Sequence, residues 1–270
     1  FAVSIGNNTA SYGATGNNSI AMGYQAKSSG NHNVVIGGTA QSTGSDYGVS
    51  IGYRARNTAH STVSIGREAG LSGDGTGTVA IGYGANGMGQ AGGTESLAIG
   101  KSATSNGYAS TAIGRYAHTG GIQGKIAFSN DFMSNYGDNQ RGLYILQAST
   151  TDATATPLTF SSFAAGAVNQ LNLQNNSAYA FHGTIVARES AASGTDCAAW
   201  KVEGLIRREG SASTTVLVNS ATTVLDNTPN WGMTLSANTT HGCLRIEVTG
   251  AASTNIRWVA TIDVSEIIYS

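Results

Sequence analysis

The chain has 270 residues, enough for one or two domains, and carries 14 basic and 15 acidic side chains for a formal net charge of −1. Only 11% of its residues are charged, against roughly a quarter in ordinary globular proteins, and the scattered Lys and Arg form none of the basic patches that nucleic-acid partners require. No apolar run approaches the ~18 residues of a membrane helix, so neither a nucleic-acid partner nor membrane insertion is expected.

The chain opens inside a repeat and without an initiator methionine, so it reads as a piece of a longer one that ends after a strand. An Ile-Gly or Met-Gly pair recurs at Ile5-Gly6, Met22-Gly23, Ile36-Gly37, Ile51-Gly52, Ile65-Gly66, Ile81-Gly82, Ile99-Gly100 and Ile113-Gly114. Two residues before each pair stands Val3, Ile20, Val34, Val49, Val63, Val79, Leu97 or Thr111, and Ala follows nearly every glycine by three positions, from Ala26 to Ala117. Apolar residues at i and i+2 with a small residue between them describe a short half-buried strand. The glycine then permits a tight bend, and each unit becomes one coil of a parallel β-roll. A repeat this short buries its apolar face only by stacking on its neighbours, which predicts a solenoid rod over residues 1–120. The Val/Ile positions are expected to line its inner face. Gly-rich insertions at 70–78 and 86–96 are expected to bulge from one face as passive loops.

The run Ser19-Ile20-Ala21-Met22-Gly23-Tyr24-Gln25-Ala26 and its counterpart Ser110-Thr111-Ala112-Ile113-Gly114-Arg115-Tyr116-Ala117 resemble the YadA-like head repeat of trimeric autotransporter adhesins, a repeat also found in phage tail fibres. The resemblance covers about 45% of the chain. It implies a left-handed roll whose three copies associate side by side, which is reasonable because one coil encloses too thin a core to stand alone.

From Gly120 the period breaks. Residues 121–165 read as a transition or neck, with a turn and strand within 137–147 and a polar connector at 148–156. Residues 166–270 alternate in longer runs: Ala178–Arg188, Cys197–Arg208, Thr214–Val218, Trp231–Leu235, Cys243–Val248 and Asn255–Ile268. Turn clusters at 190–195, 209–213 and 226–230 separate them, which predicts an antiparallel β-sandwich or jelly-roll-like terminal domain. This part is similar to the C-terminal domain of many tail fibre proteins, through Asn176-Ser177-Ala178-Tyr179-Ala180-Phe181, Ala198-Ala199-Trp200-Lys201-Val202-Glu203-Gly204 and Ile256-Arg257-Trp258-Val259-Ala260-Thr261. The fold class expected is therefore all-β, a trimeric parallel β-roll shaft followed by that terminal domain.

Chemistry is hard to locate. A glycan hydrolase needs two carboxylates facing across a cleft, and Glu189, Asp196, Glu203, Glu209, Asp226, Glu247, Asp263 and Glu266 offer no pair above background, so no enzyme is expected. His182, His241, His32, His60 and His118 lack any nucleophile signal nearby. Gly73-Asp74-Gly75 lacks the acidic spacing of a calcium loop and reads as a turn. Cys197 and Cys243 fall opposite the apolar face by alternation and read as free thiols; neither metal nor cofactor is expected.

Trp200 and Trp258 share parity with aliphatic residues and read as core. Trp231 shares parity with Met233 and Leu235, yet follows a turn rich in amides and carboxylates, groups that hydrogen-bond sugar hydroxyls. Loops on a rigid scaffold usually carry recognition. The receptor site is therefore placed on Asp226, Asn227, Asn230 and Trp231, with Arg208 and His241 as neighbours if the fold brings them together. Together these readings describe the distal part of a phage tail fibre in the virion, a homotrimer that meets a bacterial polysaccharide or lipopolysaccharide and joins upstream tail-fibre or baseplate proteins. Two other readings stay open, the passenger head of a bacterial surface adhesin and a capsule-degrading tailspike.

Overall fold

The computed structural model describes residues 1–6, 12–87, 92–161, 163–190, 194–227 and 229–269. They divide into two compact units, Phe1–Gly121 with Ile126–Phe132, and Ile122–Lys125 with Met133–Ser270. Among the described residues the secondary structure is strand, apart from one 3₁₀ turn at Ala212–Thr214.

In the first unit β1 (Ala2–Ile5), β2 (Gly13–Ala14), β3 (Ser19–Met22), β4 (Lys27–Ser28), β5 (Val34–Ile36), β6 (Gln41–Ser42), β7 (Val49–Ile51), β8 (Arg56–Asn57) and β9 (Val63–Ile65) alternate between two faces. The first face continues through β10 (Val79–Ile81), β11 (Leu97–Ile99), β12 (Thr111–Gly114) and β13 (Ile126–Ser129). Every pairing along both faces is parallel and in register, so that Ile51 sits beside Ile36 and Ile65, and Ile81 beside Ile99. This is the β-solenoid the repeat predicts.

The orientation of its strands is the reverse of the expectation. Each first-face strand after β1 buries a middle residue, Ala21, Val35, Ser50, Ser64, Ala80, Ala98, Ala112 or Ala127, at 0% exposure. The flanking Val and Ile point outward and stay half-exposed, with Ile36 and Ile99 more than a third exposed. The physical reason is thickness. The inward residues meet the repeat alanines Ala26, Ala40, Ala55, Ala69, Ala85, Ala103 and Ala117, also wholly buried, and a space that narrow is filled by Ala, Ser and, at position 35, Val, with the longer Ile turned outward. The Val/Ile positions thus form a continuous apolar ribbon on the outer surface of the roll.

The insertion at 70–78 also departs from a simple bulge, because Asp74 turns back into the polar interior and accepts a hydrogen bond from Ser64 Oγ at 3.3 Å. Of the insertion at 86–96, residues 88–91 lie outside the described residues, as do 191–193 of the 190–195 turn and 228 of the 226–230 turn.

The second unit is built from β14 (Asn139–Thr150), β15 (Thr156–Pro157), β16 (Leu171–Asn172), β17 (Ser177–Glu189), β18 (Cys197–Arg208), β19 (Val216–Asp226), β20 (Gly232–Asn238), β21 (Cys243–Thr249) and β22 (Ile256–Ile268). One antiparallel sheet runs β14-β22-β17-β18-β19, and in the other β21 pairs with β15, β16 and β20. Strict alternation along β14, β17 and β22 sends Tyr144, Leu146, Ile185, Trp258, Ile262 and Val264 into one core with Leu244, Ile246 and Val248 of the second sheet. Trp258 is its centre: it stacks on Trp200 at 5.8 Å, meets Trp231 at 5.7 Å, and donates from Nε1 to Thr150 Oγ1 at 3.0 Å. Residues 139–150, within the segment read as a neck, supply a full strand of the larger sheet. Cys197 is exposed, but Cys243 is buried rather than outward, and burial pushes its thiol up to about 12; both are free.

Candidate functional site

The nominated residues fold to opposite ends of the second unit. Asp226 ends β19 beside Ala199, at the start of β18, whereas Arg208 closes β18. At about 3.3 Å per residue the strand separates them by roughly 30 Å. His241 lies in the β20–β21 hairpin, where its backbone N–H donates to Asn238 Oδ1, and its carbonyl accepts from Asn172 Nδ2 at 3.1 Å. That is the Arg208 end, since Arg208 Nη1 reaches the carbonyl of Leu173 at 2.6 Å and its side chain packs beside Gly242. Arg208 and His241 are therefore neighbours of each other but not of the 226–231 turn.

Trp231 is not a surface platform. It is 4% exposed and belongs to the tryptophan cluster of the core, where removing its large apolar surface from water is favourable. Asn227 is likewise occupied: its side-chain oxygen accepts from the N–H of Trp231 and its amide donates to the same residue's carbonyl, both at 2.8 Å, which locks the turn. Asp226 and Asn230 stay at the surface of that end, Asn230 in the left-handed backbone region at φ 59°.

The same end holds a groove of about 610 Å³. It is lined by Ser149 to Thr151 at the close of β14, Arg188 and Glu189 at the close of β17, Ser190, and Asn255 to Arg257 at the start of β22. Strand registry sets Ser149, Arg257, Arg188 and Cys197 in one cross-strand row on the face opposite the core. The bond from Ser190 N–H to the Asn255 carbonyl, at 2.8 Å, ties the two sides together. At the other end of the sheet a shallower depression of about 390 Å³ is lined by Arg207, Arg208 and Tyr269 among others.

The most perturbed group of charges lies sealed in the second unit. Lys125 Nζ donates to Glu266 Oε2 at 2.6 Å, Gln140 Nε2 to the same oxygen at 2.8 Å, and Tyr144 OH to Oε1 at 3.2 Å. Burial, and then the Glu266 charge, hold the hydroxyls of Tyr144 and Tyr179 well above the ordinary tyrosine range. With Lys125 and Glu266 at most a few per cent exposed, no substrate reaches this cluster, and it serves the fold. Glu266 occupies a core-facing position of β22, so alternation alone marks it as buried, but its partner Lys125 is remote in sequence. Asp263 is bonded by Arg141, whose Nε donates to Oδ2 at 2.8 Å. Among the described residues no group of three or more His, Cys, Asp or Glu is placed to hold a metal, and no helix is long and apolar enough to cross a membrane.

Residues 14–32 and 91–117 match the model of the YadA head domain repeat, in two copies. No curated protein matches at a significant level. Among solved structures, the chain is similar to the tailspike protein gp49 of Acinetobacter baumannii bacteriophage Fri1, a capsular polysaccharide depolymerase, at 12% identity and a TM-score of 0.28 over 96% of this chain and 48% of that one. It is also similar to the tailspike of Acinetobacter baumannii phage AM24, at 9% identity and a TM-score of 0.23 over 94% and 54% of the two chains. The tailspike of Acinetobacter phage vB_ApiP_P1 follows at 12% identity and 0.19, over 93% and 50%. The chain spans about half the length of these proteins. One sequence expectation is corrected here: the exclusion of enzymatic activity does not stand beside a similar structure that is itself a depolymerase.

Proposed function

We propose that this chain is the distal part of a phage tail fibre, acting as a homotrimer that attaches to bacterial surface polysaccharide. The observation that carries the reading is the outward Val/Ile ribbon, in register from β1 to β13 on a roll that matches the YadA head repeat. A contiguous apolar surface of that length on a soluble rod calls for a cover, and further copies of the same rod supply one that repeats with the same spacing. The roll is then the shaft, and the second unit, which takes β14 and β15 from the segment 121–165, forms the sandwich-like head. Its loop-bearing end, with the 226–231 turn and the Arg188–Arg257 groove, is where the receptor is met. Three weak sites on one stalk act with a high effective concentration, so each need bind only weakly. The match to the YadA head repeat also favours a second reading, the passenger head of a bacterial trimeric adhesin, which the full gene distinguishes by a signal peptide and a C-terminal membrane anchor.

The test is adsorption of the labelled full chain to encapsulated bacteria and to capsule-deficient and lipopolysaccharide-truncated derivatives, with reducing ends assayed in the same samples. Adsorption lost with one polysaccharide supports attachment through it. Equal adsorption to every strain, or none to any candidate host, overturns the reading. Release of new reducing ends adds cleavage to binding.

A further inference from the structure

The outward face of the larger sheet neutralises its arginines everywhere but in one row. Arg141 is held by Asp263, and Arg207 by Glu209. Arg188 and Arg257 stand directly opposite each other on β17 and β22, and among the described residues neither forms an ion pair. Like charges in register on one face destabilise a sheet, so a row that keeps two of them without a carboxylate lacks a counter-charge. Among the described residues the Arg188 guanidinium donates to the carbonyl of Asp196, at 3.1 Å. Glu189, the one carboxylate lining the groove, turns away toward Gly194 and accepts from Asp196 N–H at 3.4 Å. The row opens on the 610 Å³ groove, whose remaining walls offer the hydroxyl of Thr151 and the amide of Asn255.

Two guanidinium forks side by side on a rigid sheet fit an anion with two acceptor oxygens, and hydroxyl and amide groups beside them fit the hydroxyls of a sugar. We propose that this groove is a subsite for an acidic sugar, in which Arg188 and Arg257 clasp a carboxylate or phosphate while Thr151 and Asn255 bind neighbouring hydroxyls. The proposal rests on the reading of the second unit as the part that meets the bacterial surface, and it names the chemistry of the receptor there.

The experiment is calorimetric titration of the full chain at low salt with three probes: tetragalacturonate, its carboxyl-reduced tetragalactose counterpart, and a phosphorylated oligomannose. At least one anionic probe binds, with the carboxylate or phosphate source assigned by which one, and the neutral probe does not. Arg188→Gln and Arg257→Gln each weaken binding by about tenfold or more, Arg257→Lys by less, and Lys101→Gln on the roll leaves it unchanged. Tryptophan fluorescence verifies the fold of each arginine variant, since Trp200, Trp231 and Trp258 all lie in the core of this unit, and circular dichroism verifies Lys101→Gln. Failure of both anionic probes to bind, equal binding of the neutral probe, unaltered binding by folded arginine variants, or an equal loss in Lys101→Gln overturns the proposal. Cell adsorption keeps the two readings apart. A parent chain that adsorbs to no host sinks the attachment reading while the titration still judges the groove. Arginine variants that adsorb as the parent does leave attachment standing and remove the groove as its contact.

Discussion

Asp74 shows how a single carboxylate sets the pH response of a roll with almost no charge inside. Burial pushes its carboxyl up to about 6, opposed by hydrogen bonds from Ser64, Asn86 and the backbone of Gly92. Because the folded state holds this proton more tightly than the unfolded chain, the contribution of Asp74 to stability is fully present below about pH 4 and is lost as pH rises through 6. Asp74→Asn removes that loss. The variant should be more stable than the parent at pH 7, by on the order of 2–3 kcal/mol, with the difference vanishing near pH 4; thermal unfolding across that range by circular dichroism measures it. The Lys125–Glu266 pair behaves differently. Lys125→Met or Glu266→Gln alone leaves a buried partner without its counter-charge, for an expected loss of about 3–5 kcal/mol in denaturant unfolding followed by tryptophan fluorescence, and the double variant should regain much of it. A double variant no better than the singles would mean that packing, not charge, dominates there. Neither residue was legible as a pair in the sequence, since 141 residues separate them. Trp231 was half legible: its parity with Met233 and Leu235 marked the core, and the polar turn before it drew the reading outward.

At the level of the strand, the roll depends on a column of glycines that stack coil upon coil. Gly66 holds φ at 129°, and a Cβ there would fall 2.5 Å from the carbonyl oxygen of Gly82 in the next coil. Gly66→Ala should therefore cost at least about 2 kcal/mol in the unfolding of the roll while the tryptophan signal of the second unit stays unchanged. The repeat made this register legible in full, because a two-residue period fixes which side chains share a face. It did not reveal which face looks inward, since that depends on the thickness of the coil, a property of the Ala and Ser that oppose each other across it. Ile51 illustrates the difference. A charge there is not buried by its own coil, so Ile51→Asp should leave the single-chain roll folded and disrupt association instead, read as a fall in solution mass with little change in circular dichroism. Unfolding of the variant as a monomer would restore the inward assignment. The second unit adds a similar surface, for Val216, Val218, Val224 and Leu225 of the edge strand β19 are exposed, and an open apolar edge invites a neighbour.

Across the whole chain, the alternation of strands in the second unit was legible almost to the residue for β17, β18 and β22, which long regular runs define. Their arrangement was not. Arg208 and the 226–231 turn are 18 residues apart at their nearest in sequence, yet β18 and β19 run antiparallel and carry them to opposite ends. Sequence proximity misleads whenever a long hairpin lies between two residues. The groove at the 226–231 end was missed because Ser149, Arg188 and Arg257 come from three distant strands, and only the registry of the sheet brings them into one row.

In the proposed assembly, copies of this chain close over the Val/Ile ribbon as a trimer. Light scattering coupled to size exclusion, at micromolar concentration, tests it most directly. The trimer runs as a single species of three times the 27.5 kDa chain mass, falling toward one chain in Ile51→Asp. A parent chain that elutes as a stable 27.5 kDa monomer would contradict it.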